Sequence, residues 1–94
     1  MVFDFEQVHN YYERLVFEGV AGRAEAYPGF TTDMLADVAC VALNRLPARY
    51  VRHDVDLMFY LTESERRAIE SSLEEVLQFG FRFVGERVAK KSTS

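Results

Sequence analysis

A helix with a defined start and a defined end is encoded by residues 31–47, which read TTDMLADVACVALNRLP. Thr31 or Thr32 suits the N-cap position, and Asp33 in the first turn favours the positive end of the helix dipole. Pro47 cannot continue a helix, so the sequence predicts that this helix ends at the proline. Between these signals the apolar side chains follow helical spacing along one side: Leu35, Val38, Ala39, Ala42 and Leu46.

A further helix is predicted on each side of this central one. The earlier helix has one apolar face, and we expect Gly19 and Gly22 to end it. The later helix begins at Thr62, which forms a capping box with Glu65, and its apolar spacing continues to about Val88. The apolar face of the first helix consists of Phe5, Val8, Tyr12, Leu15, Val16 and Gly19.

Residues 48–61 do not fit a helical pattern. Their apolar side chains alternate partly with charged ones, which is typical of an extended segment or a short strand. A single short strand needs a partner, and one candidate is the same strand of a second copy. The sequence therefore predicts a mainly α fold class, with residues 1–94 forming a small helical domain of three main helices and a short extended segment.

Composition is that of an ordinary globular protein, with 49% hydrophobic and 28% charged residues. No apolar run approaches the roughly 18–20 residues that span a bilayer and no signal segment opens the chain, so we expect a cytoplasmic protein that does not contact membranes. The net charge of −4 argues against binding of duplex nucleic acid, which requires a broad basic face. The single cysteine, Cys40, excludes an internal disulfide and a cysteine-only metal site.

The last helix is too apolar for one whose second side faces solvent. Phe79 and Phe81 lie outside its main apolar stripe, and large apolar side chains on more than one face imply more than one neighbour. In a chain this short the second neighbour is expected to be another subunit, so we predict a homodimer. Tight wrapping by the first helix is the alternative.

One stretch is locally cationic although the chain is acidic: Asn44-Arg45-Leu46-Pro47-Ala48-Arg49-Tyr50-Val51-Arg52-His53. Guanidinium groups suit bidentate contact with phosphate or with the O6/N7 edge of guanine. The stretch therefore predicts a site for a compact anion. Alternatively, Arg45, Arg49 and Arg52 form exposed ion pairs with the abundant acids, which are worth about 0–1 kcal/mol each.

Further candidates lie beside and within this stretch. Asp37 and Asn44 share one side of the central helix, where the carboxylate can read the N1/N2 edge of guanine and the amide can face a ligand. Asn44 can equally bond a nearby backbone group. Tyr50 can stack on a base, although we favour a place in the core beside Leu46.

The first helix adds four candidates, namely Asn10, Tyr11, Glu13 and Arg14. The Glu13 carboxylate is a second candidate for the N1/N2 edge of guanine. For the Glu13 and Asp37 carboxylates a capping or salt-bridge role is the alternative, and it is the commoner role for such residues.

Catalysis is poorly supported by the sequence. His9 and His53 lie far apart in the chain, and neither has a neighbouring Ser or Cys in a recognised nucleophile motif. The stretch His53-Asp54-Val55-Asp56 carries groups that can bind metals, but on an extended strand they alternate faces and make a weak site. We therefore expect no enzyme activity, no metal and no cofactor.

Residues 37–51 resemble the central signature of the late-competence protein ComFB family, which has an acid, a small apolar helix, then Asn, a basic residue, Leu-Pro and an aromatic. Residues 10–16, Asn-Tyr-Tyr-Glu-Arg-Leu-Val, resemble the opening helix of the family. The resemblance extends over residues 5–78.

The resemblance implies a small, mainly helical homodimer without enzyme activity, linked to competence operons. It also implies binding of the second messenger cyclic di-GMP, as in members of the cyanobacterial type. Some competence-operon members carry a cysteine cluster suited to zinc, but with Cys40 alone this chain is similar to the metal-free type. Carried over by position, the resemblance favours Asn10, Glu13, Asp37, Asn44, Arg45, Arg49 and Tyr50.

Together these features predict a non-enzymatic receptor for a cyclic dinucleotide, with cyclic di-GMP as the first choice, that signals to a downstream protein. Arg14 and Arg52 complete the set of predicted ligand contacts. The alternative, from a different class, is a structural protein–protein interaction module of a competence or motility system without a small ligand. In that case the apolar surface of the last helix docks the partner and the arginines are solvated.

Overall fold

A computed structural model describes residues 2–93 and has a mainly α fold, as predicted. Within these residues there are four helices and one two-stranded sheet, instead of three helices and an unpaired extended segment. The elements in chain order are β1 His9–Asn10, α1 Tyr12–Arg23, a 3₁₀ turn Ala24–Ala26, α2 Thr32–Asn44, β2 Tyr50–Val51, α3 Asp54–Tyr60 and α4 Glu63–Thr93.

The predicted starts of α2 and α4 are confirmed by their caps. Thr31 is the N-cap of α2, and its Oγ1 accepts the backbone N–H of Met34 at 3.1 Å. Thr62 Oγ1 likewise accepts the backbone N–H of Glu65 at 3.1 Å, immediately before α4. Side-chain oxygens at these positions satisfy helix N–H groups that have no partner within the helix. At the other end, α2 stops at Asn44 with Arg45 as its C-cap, three residues before Pro47.

The prediction for the first helix was wrong at both ends. Residues before β1 form a turn, in which Val8 N–H donates to the Phe5 carbonyl, and α1 begins only at Tyr12. The helix then continues through both glycines to Arg23. Gly19 lies where α1 meets α4: a Cβ there would be 2.5 Å from Leu77 Cδ1, so the glycine permits the close approach instead of ending the helix.

The prediction for residues 48–61 was also wrong over most of its length. Only β2 is extended, and its partner is β1 of the same chain, antiparallel, with His9 opposite Val51 and Asn10 opposite Tyr50. Residues Asp54–Tyr60 form α3, in which Leu57 is buried. The alternation that favoured a strand was misleading because most of the apolar residues of this segment, such as Val55 and Phe59, are exposed and mark no buried face.

The core lies between α1, α2 and α4, and Phe81 of α4 is at its centre with 1% of its surface exposed. Phe81 stacks on Tyr27 with ring centroids 4.2 Å apart and contacts Phe30, so residues of the segment before α2 cover this second side of α4. Gly80 allows α4 to approach Val38 of α2 closely. No helix among residues 2–93 has the length and apolar composition that crossing a membrane requires.

Candidate functional site

Asn10 joins the first half of the chain to the basic stretch that follows α2. Its side-chain oxygen accepts the backbone N–H of Arg49 at 3.1 Å and that of Tyr12 at 3.2 Å. The Arg49 carbonyl in turn accepts the N–H of Tyr11 at 2.7 Å. Asn10 thus supports the fold, and its oxygen is occupied by two backbone donors that would otherwise lack a partner.

Three residues of this stretch, Arg49, Tyr50 and Arg52, are exposed to solvent; we call them together the RYR surface. The preference for Tyr50 in the core was wrong, since 69% of its surface is exposed. Side chains alternate along a strand, and the neighbouring Val51 takes the inward position against the core. Within residues 2–93, neither Arg49 nor Arg52 forms an ion pair.

A histidine–carboxylate pair adjoins this surface through β1. His9 Nε2 lies 2.6 Å from Asp54 Oδ1, and His9 Nδ1 lies 2.6 Å from the Gln7 carbonyl oxygen. Arg14 approaches the other oxygen of Asp54 at 3.9 Å. The hydrogen bond to the Gln7 carbonyl, the bond to Asp54 and the nearby Glu13 carboxylate raise the pKa of His9 above its usual value of 6.5.

The sequence prediction of the site did not include His9 and Asp54. These residues are 45 positions apart, and they meet only because β1 pairs with β2 immediately before α3 begins. The sequence carried no signal for this pair, because His9 falls within the predicted first helix and Asp54 within the predicted extended segment.

Arg45 and Asn44 lie on the α2 side of the proline and have other contacts. The Arg45 guanidinium carbon lies 3.9 Å above the centre of the Phe79 ring, a cation–π contact with α4. Arg45 shares a cavity with Arg82, Glu75 and residues around them. Asn44 Nδ2 donates to the Cys40 carbonyl at 2.9 Å, which agrees with the backbone-bonding alternative for this amide.

The two candidate carboxylates lie apart from each other. Asp37 lines a groove between α2 and the end of α4, together with Arg87 and Lys91. Glu13 is exposed in the first turn of α1, near His9. The structure therefore brings Asn10, Arg49 and Tyr50 into contact. Arg14 and Glu13 lie near this group through their interactions with Asp54 and His9. Arg45 and Asp37 line two other cavities.

Among residues 2–93, no three His, Cys, Asp or Glu side chains gather into a group that could hold a metal ion.

Comparison with known proteins gives one family. The model of the family described as late competence development protein ComFB matches residues 9–88, which is most of the chain. The comparisons with curated proteins and with solved structures found no significant match. The matched region contains both strands, α1 to α3 and nearly all of α4, and on this evidence the chain belongs to the late competence development protein ComFB family.

Proposed function

We propose that the chain is a cytoplasmic, non-enzymatic receptor for a cyclic dinucleotide, with cyclic di-GMP as the preferred ligand. In this proposal it acts as a homodimer and signals to a downstream protein. The observation that carries the proposal is the RYR surface, which combines an exposed tyrosine with two exposed arginines that form no ion pair within residues 2–93.

The chemistry of this surface suits a flat, doubly anionic ligand. Arg49 and Arg52 can each donate two parallel N–H bonds to a phosphate or to the O6/N7 edge of guanine. The Tyr50 ring can stack on a base, a contact worth about 1–3 kcal/mol. Glu13 can accept from the N1/N2 donors of guanine, and Arg14 adds a third cation beside His9. A ligand with two equivalent halves also suits a dimer with a two-fold axis.

Two of the predicted contacts change role in this proposal, and two leave the site. Asn10 and Asn44 support the backbone, because both amides are bonded to it. Arg45 and Asp37 line separate cavities and contribute no contact to a ligand on the RYR surface of the same chain. The ligand contacts of one chain are then Arg49, Tyr50 and Arg52, with Arg14 and Glu13 at the edge.

Calorimetry with cyclic di-GMP tests this proposal directly. Tyr50→Ala is expected to weaken binding by about 5- to 150-fold, corresponding to the loss of about 1–3 kcal/mol of stacking. The control is Tyr60→Ala, because Tyr60 is another exposed tyrosine and lies on α3. The double variant Arg49→Ala, Arg52→Ala should bind more weakly still, whereas Arg67→Ala removes an exposed charge from α4 and should bind normally. No measurable heat with the parent protein, or equal binding by Tyr50→Ala, would overturn the proposal.

A second candidate function is favoured by α3, which exposes a row of apolar side chains that includes Phe59 and Tyr60. In this candidate the chain is a protein interaction module and α3 docks the partner. Salt separates the two functions, because capture of a phosphate weakens as salt is added whereas apolar docking hardly changes. Phe59→Ser should abolish partner binding in this case and leave nucleotide binding unchanged.

A further inference from the structure

A cavity between the end of α2 and the middle of α4 contains two arginine side chains, and we call it the arginine cavity. It encloses about 400 Å³. Arg45, the C-cap residue of α2, lines it together with a stretch of α4. The RYR residues are outside this lining, so the cavity is separate from the RYR surface. The α4 residues of the lining are Glu75, Val76, Gln78, Phe79 and Arg82.

Both arginines lie over the ring of Phe79. The Arg45 guanidinium carbon is 3.9 Å from the ring centre, and the Arg82 guanidinium carbon is 5.7 Å from it. Both distances are within the roughly 6 Å over which a cation is attracted to an aromatic face. The ring occupies the face of a guanidinium, whereas the N–H donors lie in its plane and remain at its edge. Phe79 therefore positions two guanidinium groups without using their donors.

The guanidinium donors of this cavity have no acceptor among residues 2–93. Neither Arg45 nor Arg82 forms an ion pair or a side-chain hydrogen bond within that part of the chain. Glu75, the one acid of the lining, pairs with neither of them. Both arginines are exposed, so their donors are hydrated, and a guanidinium is more weakly hydrated than an ammonium group. The cavity thus combines two available cations with one carboxylate.

We infer that the arginine cavity is a second ligand site, which binds the phosphate group of a small phosphate monoester between Arg45 and Arg82. Since both lie over one ring, the two guanidinium carbons are within about 10 Å of each other. One phosphate can bridge this span, because each N–H···O bond adds about 2.9 Å beyond a phosphate oxygen. Phosphate oxygens match the fork of a guanidinium, and an arginine that is already positioned loses less rotamer freedom on binding.

The rest of the lining indicates a ligand body with hydroxyl groups. The cavity volume of about 400 Å³ is larger than a bare phosphate needs and falls in the range of about 300–1,000 Å³ for small-molecule sites. Gln78 Nε2 donates to Glu74 at 2.8 Å, which leaves the Gln78 carbonyl oxygen as an acceptor. This oxygen and the Glu75 carboxylate can accept from hydroxyl groups. The ligand class is therefore a phosphorylated sugar or polyol.

An NMR titration that follows the arginine Nε–Hε signals tests the site, with inorganic phosphate or glycerol 3-phosphate added at constant ionic strength. Saturable shifts are expected at Arg45 and Arg82, with tighter binding of glycerol 3-phosphate than of inorganic phosphate. The control is Arg67, an exposed arginine of α4 whose guanidinium lies 3.5 Å from Glu63, outside the cavity. Absence of a saturable shift up to about 10 mM of either compound, or equal shifts at Arg67, would overturn the inference. Equal affinities for the two compounds would overturn the ligand class.

Conservative variants separate bidentate recognition from simple attraction of charge. Arg45→Lys keeps the cation but loses one of two charge-assisted hydrogen bonds, so it should weaken binding of glycerol 3-phosphate by about 10- to 150-fold. Arg82→Lys should act in the same direction, and Arg67→Lys is the matched control that should bind as the parent does. Glu75→Gln removes the carboxylate and should tighten binding of inorganic phosphate. Equal binding by Arg45→Lys and the parent, or weaker binding of inorganic phosphate by Glu75→Gln, would overturn the inference.

This second site goes beyond the proposed receptor function and does not depend on it. Calorimetry with cyclic di-GMP on the double variant Arg45→Lys, Arg82→Lys distinguishes the two. Unchanged binding of cyclic di-GMP would uphold a separate site, whereas loss of binding would overturn it, because the cavity would then belong to the receptor site. A parent chain that binds glycerol 3-phosphate but no cyclic di-GMP would uphold the arginine cavity and remove the receptor function.

Discussion

At the scale of single residues, His9 is held in a position that favours the protonated ring. Both of its ring nitrogens face oxygens that can only accept, the Gln7 carbonyl and the Asp54 carboxylate. Two donated bonds require the imidazolium, because the neutral ring has one N–H. The protonated ring therefore ties β1 to the first residue of α3, next to the RYR surface.

The first prediction concerns pH. The folded-state pKa of His9 is above its ordinary value of 6.5, so its contribution to stability is complete below pH 6.5 and is lost as pH rises through the folded pKa. His9→Gln should therefore destabilise the protein more at pH 5.5 than at pH 9 in urea unfolding. In an NMR titration, Asp54→Asn should lower the pKa of His9. Equal destabilisation at the two pH values would show that the pair does not depend on protonation.

At the scale of secondary structure, two glycines within helices have opposite surroundings. A Cβ on Gly80 would lie 3.1 Å from both Cγ1 and the backbone oxygen of Val38, a residue that is fully buried on α2. A Cβ on Gly22 of α1 would meet nothing within 4 Å. Helix spacing alone does not distinguish them, since both interrupt an apolar pattern.

The second prediction follows from this difference. Gly80→Ala should destabilise the protein by about 1 kcal/mol, because overpacking costs about 1–3 kcal/mol and the gain in helix propensity offsets part of it. Gly22→Ala should stabilise by about 0.5–1 kcal/mol, because alanine has the higher propensity and no clash. Urea unfolding of the two variants measures both signs. A stabilising Gly80→Ala would mean that α2 and α4 can separate at little cost.

At the scale of the whole molecule, the aromatic residues divide into a group that packs around the buried Phe81 and a group that is exposed without such packing. Tyr27, Phe30 and Phe81 contact one another where the segment before α2 folds over α4. The chain thus covers this side of its longest helix without a second subunit. The exposed aromatic residues, such as Phe5 and Phe59, lie before β1 and on α3.

The third prediction compares the two groups. Phe81→Ala should destabilise the protein by about 3–5 kcal/mol, because it removes a large side chain from the centre of the core and leaves a cavity. Phe59→Ala removes the same atoms from an exposed position and should change the stability of the monomer by less than about 0.5 kcal/mol. Thermal unfolding at low protein concentration measures both. A similar loss for the two variants would mean that α3 is buried in the assembly.

Features that depend on neighbouring residues could be derived from the sequence alone. Thr31, Thr62 and Pro47 act on backbone groups within four positions, so the starts of α2 and α4 and the end of α2 could be predicted from them. The family could also be identified, because its signature is a contiguous run of residues around the proline.

Features that depend on contacts between distant parts of the chain became visible only in the folded molecule. Gly19 lies within a helix, and the Leu77 side chain occupies the space that a Cβ at position 19 would need. The strand β2 forms because β1 is available as its partner. The same pairing exposes Tyr50, while the contact with Phe79 takes Arg45 to another cavity. A local pattern specifies which side chains are available, whereas the crossing of helices and the pairing of strands determine which of them meet.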